Sequence, residues 1–527
     1  MWYYLLPPCA VLVVSFWLKD VNKALLVGLA SAALLVSKGS PLSALYLLFI
    51  KAYNQITDIG NLLVFLYLPI LGYIISLIIK TGGAIAWGNY ISQKVHSRRG
   101  IELATLGFSS LFFLDDYFNS WTVGTVMHPV TDRFKVPRVK LAYLVNILAP
   151  CMAIISPISS WIAVILGELI RVGIGDTQLA TVQADPFLTY LSCIGYLIYP
   201  ILAVLSTWFI VGSRISYGPM HTQEEIAHTT GSVFGGKEPV STKITPPEQQ
   251  GALFDFLLPI GLLIGLTPPI ILATGNYWLF GGTNNLSAAL TAANIFLAMV
   301  ISALATATIS STYFVIRNKL NTRLFVQSVT EGLHLMVPSF VLLFLAWNFS
   351  DFLRNDLPAG TYLATSVAST LPLALIPVIF YLLAGLTAFG TGTAWGTIMV
   401  MTPIVIPMVI KLSQAPEPAS LATIPMLLPT LGAIFSGTVA GTHLSPIADN
   451  TIVSSLSSAC HHVDHVKAQI PYVLPTILAA GLGFLILGLG TVHHFSHALP
   501  WAWLLALISA AGVYLVLNRK STHANRA

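Results

Sequence analysis

Charge is what this chain of 527 residues has least of. Asp, Glu, Lys and Arg together make up 9% of it, as 20 acidic and 25 basic side chains, where soluble domains carry roughly a quarter. So few charges cannot cover the water-facing surface that several soluble domains would need, which excludes a soluble protein of this length. Cysteine is scarce too. Cys9, Cys151, Cys193 and Cys460 lie in or beside apolar stretches without C-x-x-C spacing, so neither a disulfide framework nor a cysteine zinc site is indicated and packing in a bilayer is the plain reading. The net charge of +5 signals no nucleic-acid partner, because Lys and Arg cluster in loops where they orient membrane spans. Nor does a basic stretch precede the first apolar run. That run begins at Trp2 and meets basic residues only at Lys19 and Lys23, which reads as a retained span and not a cleaved leader.

What is present is apolar length. Hydrophobic residues make up 55% of the chain and the mean hydropathy is +0.80. Stretches long enough to cross a hydrocarbon core of about 30 Å are expected at 3–18, 24–38, 61–79, 141–171, 187–212, 254–273, 287–316, 331–353, 422–459, 470–490 and 499–517. The shorter, more amphipathic 41–58 and 321–330 fit interfacial helices. Two further segments, 101–132 and 373–410, each hold two apolar arms joined by polar or Gly-rich chain.

Short patterns then occur twice in the same order. Asn119-Ser120-Trp121 followed by Val126-Met127-His128-Pro129-Val130 is echoed by Thr393-Ala394-Trp395 followed by Val400-Met401-Thr402-Pro403-Ile404. Ser156-Pro157-Ile158-Ser159-Ser160 is echoed by Ser445-Pro446-Ile447-Ala448-Asp449. Duplicated polar breaks inside apolar segments mark transporters built from two repeats. Lys94, Arg98 and Arg99 precede the first arm pair and Arg133, Lys135, Arg138 and Lys140 follow it. Both ends therefore belong on the cytoplasmic side, which a hairpin satisfies and a single crossing does not. The second pair is flanked mainly by Arg354 and Lys411, a weak basic signal consistent with the opposite side. Arg317, Lys319, Arg323, Lys467, Arg519 and Lys520 fall inside, while Lys38 and Lys51 fall outside against the rule.

The expected fold is thus an all-α polytopic membrane protein, about eleven transmembrane helices plus two re-entrant hairpins in two inverted-topology repeats, with a cytoplasmic C-terminus. Residues 1–212 form the first repeat, with hairpin 101–132 and broken helix 141–171. A cytoplasmic linker, 213–253, carries Glu224, Glu225, Pro239, Pro246 and Pro247. The second repeat is 254–493, with hairpin 373–410 and broken helix 422–459, and 494–527 adds a last span and tail.

Carboxylates within this frame carry the chemistry. Asp115-Asp116 at the first hairpin tip sit at membrane depth, where each costs about 2.5–3.5 kcal/mol on insertion scales and needs a partner or a water-filled cavity. Adjacent residues cannot share a helix face, so one lines a site and the other caps or backs a half-helix. Asn119, Ser120 and Thr122 follow on the same arm. Pro157 breaks the partner helix beside the hydroxyls of Ser156, Ser159 and Ser160. In the second repeat the tip offers Thr391 and Thr393 between glycines, without a carboxylate or a Walker lysine. The charge appears instead in the second break, where Asp449 sits near a half-helix N-terminus that favours an anion, with Ser445, Asn450 and Thr451 around it. Oxygen donors of this kind suit a small hard cation or a proton, so Na⁺ is expected at Asp115, Asp116 and Asp449. The spacings His461-His462-x-x-His465 and His493-His494-x-x-His497 fit a metal, but polar capping of span ends accounts for them, and Glu168 and Glu331 are read as snorkelling or paired.

These residues also carry a resemblance. Asp115-Asp116-Tyr117-Phe118-Asn119 through Thr122-Val123-Gly124-Thr125-Val126, with Pro129, Thr131-Asp132-Arg133-Phe134 and Lys140-Leu141-Ala142-Tyr143, resembles the NhaC-type sodium/proton antiporter family. So do Pro157-Ile158-Ser159-Ser160-Trp161, Ser445-Pro446-Ile447-x-Asp449-x-Thr451-Ile452, Cys460, Asp464-His465-Val466, Gln469 and Pro471-Tyr472. The likeness runs from about residue 60 to 490. It implies inverted repeats with hairpins and an exchanger in which Na⁺ and H⁺ compete for the same carboxylates. Because the resemblance also extends to organic-acid and amino-acid carriers, the alternative is a sodium- or proton-coupled transporter of a small carboxylate or amino acid, walled by Trp121, Trp161 and Trp395. No nucleophile–base spacing points to an enzyme, no cofactor is expected beyond the transported ions, and the partners are the lipid bilayer, a small cation and, as an option, a second copy in a homodimer.

Overall fold

Capping side chains, prolines and glycines cut the apolar chain into helices. The computed structural model describes every residue except 1, 19, 176–179, 241–250, 358, 360–361, 363–364, 367–370, 416–418, 496 and 525–527; Lys19, Pro246 and Pro247 lie outside the described residues. The first part comprises α1 (Leu6–Leu18), α2 (Val21–Val36), α3 (Pro41–Thr57), α4 (Ile59–Lys80), α5 (Gly83–Lys94), α6 (Arg98–Leu111), α7 (Asp116–Arg133), α8 (Arg138–Ile155), α9 (Ser160–Arg171), α10 (Pro186–Ile194) and α11 (Ile198–Gly212). A parallel pair of two-residue strands, β1 (Ile174–Gly175) and β2 (Val182–Gln183), closes the loop after α9. After α12 (Gly218–Thr230) come α13 (Leu253–Thr274), α14 (Leu286–Ala292), α15 (Ile295–Ile316), α16 (Thr322–Asp351), α17 (Ile376–Thr391), α18 (Ala394–Leu412), α19 (Leu427–Leu444), α20 (Asp449–Ser457), α21 (His462–Val492) and α22 (Ala498–Ala524). Asp20, Ser40, Asp58, Ser97 and Asp185 each accept the backbone N–H three residues on, so successive helices begin cleanly after very short turns.

Among the described residues nine helices are long and apolar enough to cross a membrane, and eleven spans result when the bent pairs α2–α3 and α10–α11 each count as one. The protein is an all-helical, multi-pass membrane protein. Details differ from the sequence expectation. Residues 321–330 form no separate interfacial helix; they begin α16, whose 30 residues span about 45 Å at 1.5 Å each and so outrun the hydrocarbon core. The span expected at 287–316 stops at Ala293, because Asn294 restarts the chain by capping α15 at Leu297 N, 3.0 Å away. The first span shrinks to the 13 residues of α1 behind a 3-10 turn. Helices α5 and α12 were not anticipated, since neither is long and apolar. Helix α3 turns 118° away from α2.

Burial follows the two broken helices. Nearly every residue of α8 and of α19 is buried, as expected for helices that are apolar or small all round. Glycine sets the closest crossings: a Cβ on Gly332 of α16 would lie 2.5 Å from the backbone N of Tyr73 in α4. Lys51, one of the two basic residues expected outside against the charge rule, is neutralised by Asp351 and by Asp356 at 2.7 Å; Glu331 pairs with Lys80 at 2.8 Å. The described part of the linker is docked. Tyr217 stacks on Tyr472 with ring centroids 4.4 Å apart, Glu224 meets Lys140 at 2.5 Å and Arg98 at 3.2 Å, and Lys237 meets Asp464 at 2.6 Å. Burial alone would raise the Glu224 carboxyl, but the charges of Lys140 and Arg98 outweigh it and hold the group below its ordinary range.

Candidate functional site

The site is built where four helix ends meet. Helix α8 stops at Ile155 because Pro157 has no N–H to continue the ladder, and α9 restarts at Ser160. The carbonyls freed by this break are consumed locally. Ser159 Oγ donates to Ala153 O at 2.6 Å and to Ser156 O at 3.3 Å, Tyr190 OH donates to Ile154 O, and Tyr67 OH donates to Ile158 O at 3.2 Å. The amide end stays available, and the first hairpin docks on it: Ser160 N donates to Leu114 O at 2.8 Å. In the second repeat Asp449 N, the first amide of α20, donates to Gly392 O at 3.2 Å, while Ser445 Oγ donates to Phe389 O at 2.7 Å. Each hairpin tip thus places a carbonyl on the N-terminus of a half-helix, where backbone donors are otherwise orphaned.

Asp115 and Asp116 divide their work as adjacent residues must. Asp115 is the N-cap of α7, accepting from Phe118 N at 3.0 Å, and its second oxygen accepts from Ser160 Oγ at 2.8 Å. Asp116 points across the repeats. It accepts from Trp161 Nε1 at 3.0 Å and from Asn450 Nδ2 at 2.7 Å. The reverse bond runs from Tyr117 OH to Asp449 Oδ2 at 2.8 Å. Two half-helix N-termini therefore clasp each other reciprocally, the carboxylate at the first position of one meeting the donor at the second position of the other. Asp115 and Asp116 are buried, 3% and 1% exposed, whereas Asp449 is exposed.

Two oxygens next to these positions are buried without a hydrogen-bond partner: Ser120 Oγ, one turn after Asp116 on α7, and Asn450 Oδ1. Thr122 Oγ1 is also unpartnered but stands six residues after Asp116, about 9 Å along the helix and on another face. None of the ion pairs among the described residues involves Asp115, Asp116 or Asp449. Trp161 and Trp395, one from each repeat, stand edge to face with centroids 5.6 Å apart; Trp121 is 46% exposed.

Other residues singled out in the sequence serve the scaffold. Asn119 laces the first hairpin, accepting from Ser109 Oγ at 2.7 Å and donating to the carbonyls of Ser109 and Phe112. Ser156 Oγ accepts from Ile158 N at 3.4 Å. Thr391 bonds back to Thr387 O, and Thr393 caps α18 at Gly396 N, 3.3 Å away. Thr451 donates to Thr442 O and accepts from Asn146 at 3.1 Å. Behind the clasp lies a polar layer that sequence reading did not assign: Asn146 also donates to Gln469 at 3.1 Å, and His443 bridges Tyr199 OH at 2.7 Å and Asn146 O at 3.1 Å. Polar side chains in mid-span were the signal available for Asn146 and Gln469. Glu168, read as snorkelling or paired, is buried and accepts from Ser350 at 2.9 Å.

The N-caps also correct the register of the first echo. Asp115 and Leu114 correspond to Thr393 and Gly392 in cap and docking role, an offset four residues from the Trp121–Trp395 match. One helical turn is 3.6 residues, so the echoed side chains still share a face.

Discontinuous helices meeting hairpin tips, with unpaired carboxylates between them, define a secondary transporter, not an enzyme. Residues 152–489 match the Na⁺/H⁺ antiporter family, and the chain belongs to that family. The matched segment begins at Met152, so the acidic tip precedes it. An uncharacterised protein of Haemophilus influenzae is 31% identical over 433 residues, covering 81% of this chain and 79% of that protein. Among solved structures, MtrF of Neisseria gonorrhoeae, from a class of antimetabolite efflux pumps, has the same fold, with a TM-score of 0.52, 14% identity and coverage of 86% and 85% of the two chains. The Alcanivorax borkumensis YdaH transporter, noted for an unusual topology, gives a TM-score of 0.46 at 14% identity and coverage of 87% and 90%.

Proposed function

We propose that this protein exchanges Na⁺ for H⁺ at the clasp between the two repeats, with Asp116 as the shared ligand, Asp115 beside it and Asp449 across. The observation that carries the reading is a buried carboxylate, Asp116, held from both repeats by Trp161 and Asn450 with no Lys or Arg in ion contact among the described residues. A buried charge is costly unless paired. A mobile cation supplies the missing countercharge, and H⁺ or Na⁺ each neutralises the same group, so binding one requires leaving by the other. The unpartnered oxygens of Asn450 and Ser120 are available as the extra oxygen ligands a desolvated Na⁺ needs. The ions are cargo, and no resident cofactor enters this reading.

Because each donor to Asp116 comes from a different repeat, relative movement of the repeats changes its ligand set, which is the requirement for alternating access. The basic flanks support a cytoplasmic side for the hairpin-1 ends and the C-terminus in a plasma or inner membrane, and the reading includes a homodimer as an option. Reconstituted in proteoliposomes, the protein should show Na⁺-driven changes in internal pH, and Asp115→Asn and Asp116→Asn should each abolish them. Full activity in both variants removes the site. Wild-type vesicles that ignore Na⁺ gradients but accumulate a labelled small carboxylate or amino acid replace this reading with the alternative cargo.

A further inference from the structure

A hydrogen-bonded cluster between α20 and α21 has no part in the exchange just described. His462 Nε2 lies 2.6 Å from the carbonyl of Pro446, and His465 Nε2 lies 2.9 Å from Gln469 Oε1. The orientation of Gln469 is set, because its Nε2 donates to the carbonyl of His443 at 2.6 Å. Amide and backbone carbonyl oxygens only accept, so both Nε2 atoms carry hydrogen. In neutral rings the two Nδ1 atoms are then acceptors. Both face one group, the hydroxyl of Ser455, at 2.9 Å and 2.8 Å. A hydroxyl has a single proton, yet two imidazole lone pairs and the carbonyl of Thr451 at 2.7 Å compete for it. The cluster is one proton short. A proton added to either Nδ1 repairs the deficit: that N–H donates to Ser455 Oγ, and the Ser455 O–H turns to the other ring.

We propose that His462, Ser455 and His465 form a proton-binding site, separate from the carboxylates, that holds one H⁺ across the Ser455 hydroxyl. His462 takes the charge, being half-buried at the start of α21, whereas His465 is fully buried. The charged and titratable groups around the site are themselves partnered. Asp464 pairs with Lys237. Arg138 of α8 pairs with Asp132 of α7 at 2.7 Å and donates to Ser458 O at 3.0 Å. His128 of α7 meets Ser457 O at 3.2 Å, and His461 meets the carbonyl of Glu238 at 3.0 Å. The Cys460 thiol lies beside Ser455 and His443 of α19 beside His465. Proton occupancy ties α20 to α21. Since α20 opens with Asp449 and Asn450, occupancy stiffens the half-helix that holds Asp116. The site stands whatever the cargo is.

Thermal unfolding of the purified full-length protein between pH 8 and pH 6 tests it, comparing wild type with His462→Gln, His465→Gln and the double variant. One extra bound proton makes the folding equilibrium rise up to tenfold per pH unit on acidification. Wild type should gain this increment over both single variants, and the double variant should lose no more than either, because one ring alone is satisfied by the Ser455 hydroxyl. The other histidines are present in all four proteins, so the comparison isolates this pair. Parallel curves for wild type and the single variants, or additive losses in the double, overturn the proposal. If the glutamine variants do not fold, Ser455→Ala keeps both rings and removes only the bridge; it should lose the same increment, and retention of it overturns the proposal equally.

Discussion

The two hairpin tips are the same joint with different charges. In the first, Phe112, Phe113 and Leu114 connect α6 to the N-cap Asp115; in the second, Gly392 alone leads from α17 to the N-cap Thr393. Each cap side chain accepts a backbone N–H at nearly the same distance, 3.0 Å and 3.3 Å, and each preceding carbonyl docks on a half-helix amide. The scaffold is therefore repeated, while the charge is not: two carboxylates stand at the first tip and one in the second break. An ion site does not need symmetric ligands, because a carboxylate contributed from either repeat can reach the same space. Only the backbone joints that present them need to be alike.

That comparison is broken most directly by charge. Asp116→Asn should reduce Na⁺-dependent pH recovery to background, whereas Thr393→Ala should leave transport in place and lower stability by about 1 kcal/mol, the cost of a lost cap. A proteoliposome assay with a parallel unfolding curve separates the two effects, and equal transport losses would make the tips functionally alike.

Backbone strain gives the next effect. Gly392 has φ +75°, and a Cβ there would lie 2.6 Å from the carbonyl of Ile447. Gly392→Ala should cost at least about 1–3 kcal/mol from backbone conformation alone. Gly107 in the first hairpin has open space around it, so Gly107→Ala should be neutral or stabilising by up to about 1 kcal/mol. Thermal unfolding reads both, and a harmless Gly392→Ala would mean the second tip is looser than described.

The tryptophan pair sharpens the contrast further. Trp161 Nε1 donates to Asp116, whereas Trp395 Nε1 is buried without a partner. Trp161→Phe should therefore cost about 1.5–3 kcal/mol, the range for hydrogen bonds to charged groups, and weaken Na⁺ dependence. Trp395→Phe should be close to neutral.

The smallest effect is expected in the linker, which grips the first repeat through buried charges and the second through Tyr217 and the exposed Lys237. Because Lys140 and Arg98 outweigh burial and hold the Glu224 carboxyl low, its contribution is present above the ordinary carboxylate value of about 4.3 and is lost as pH falls through the lowered folded value. Glu224→Gln should be less stable than wild type at neutral pH and converge with it below about pH 4, while Lys237→Ala should cost at most about 1 kcal/mol at any pH.

Much of this was legible in the residues. Membrane length, the two polar breaks and the division of labour between Asp115 and Asp116 follow from hydropathy, proline and helix geometry. Other features were hidden. The echo around Trp121 and Trp395 lies four residues from the cap register, because similar side chains recur on one helix face each turn. Asn119 reads as a site residue by its neighbours, yet its amide is used inside the hairpin. Tyr117 carries no sequence signal of its own; its role depends on Asp449, which is 332 positions away.

By itself, the sequence determined that the chain is helical, spans a membrane many times and carries its carboxylates at two breaks, since these follow from local composition and from the backbone needs of proline and apolar solvent. Only the tertiary structure decided which carboxylate faces which donor. Adjacent side chains point in different directions, and the partners of Asp116, Trp161 and Asn450, come from two other helices whose approach is set by close backbone packing. At Gly124 a Cβ would lie 2.7 Å from that of Ser457, so the contact that lays α7 along α20, and with it the clasp, exists only once both repeats have packed.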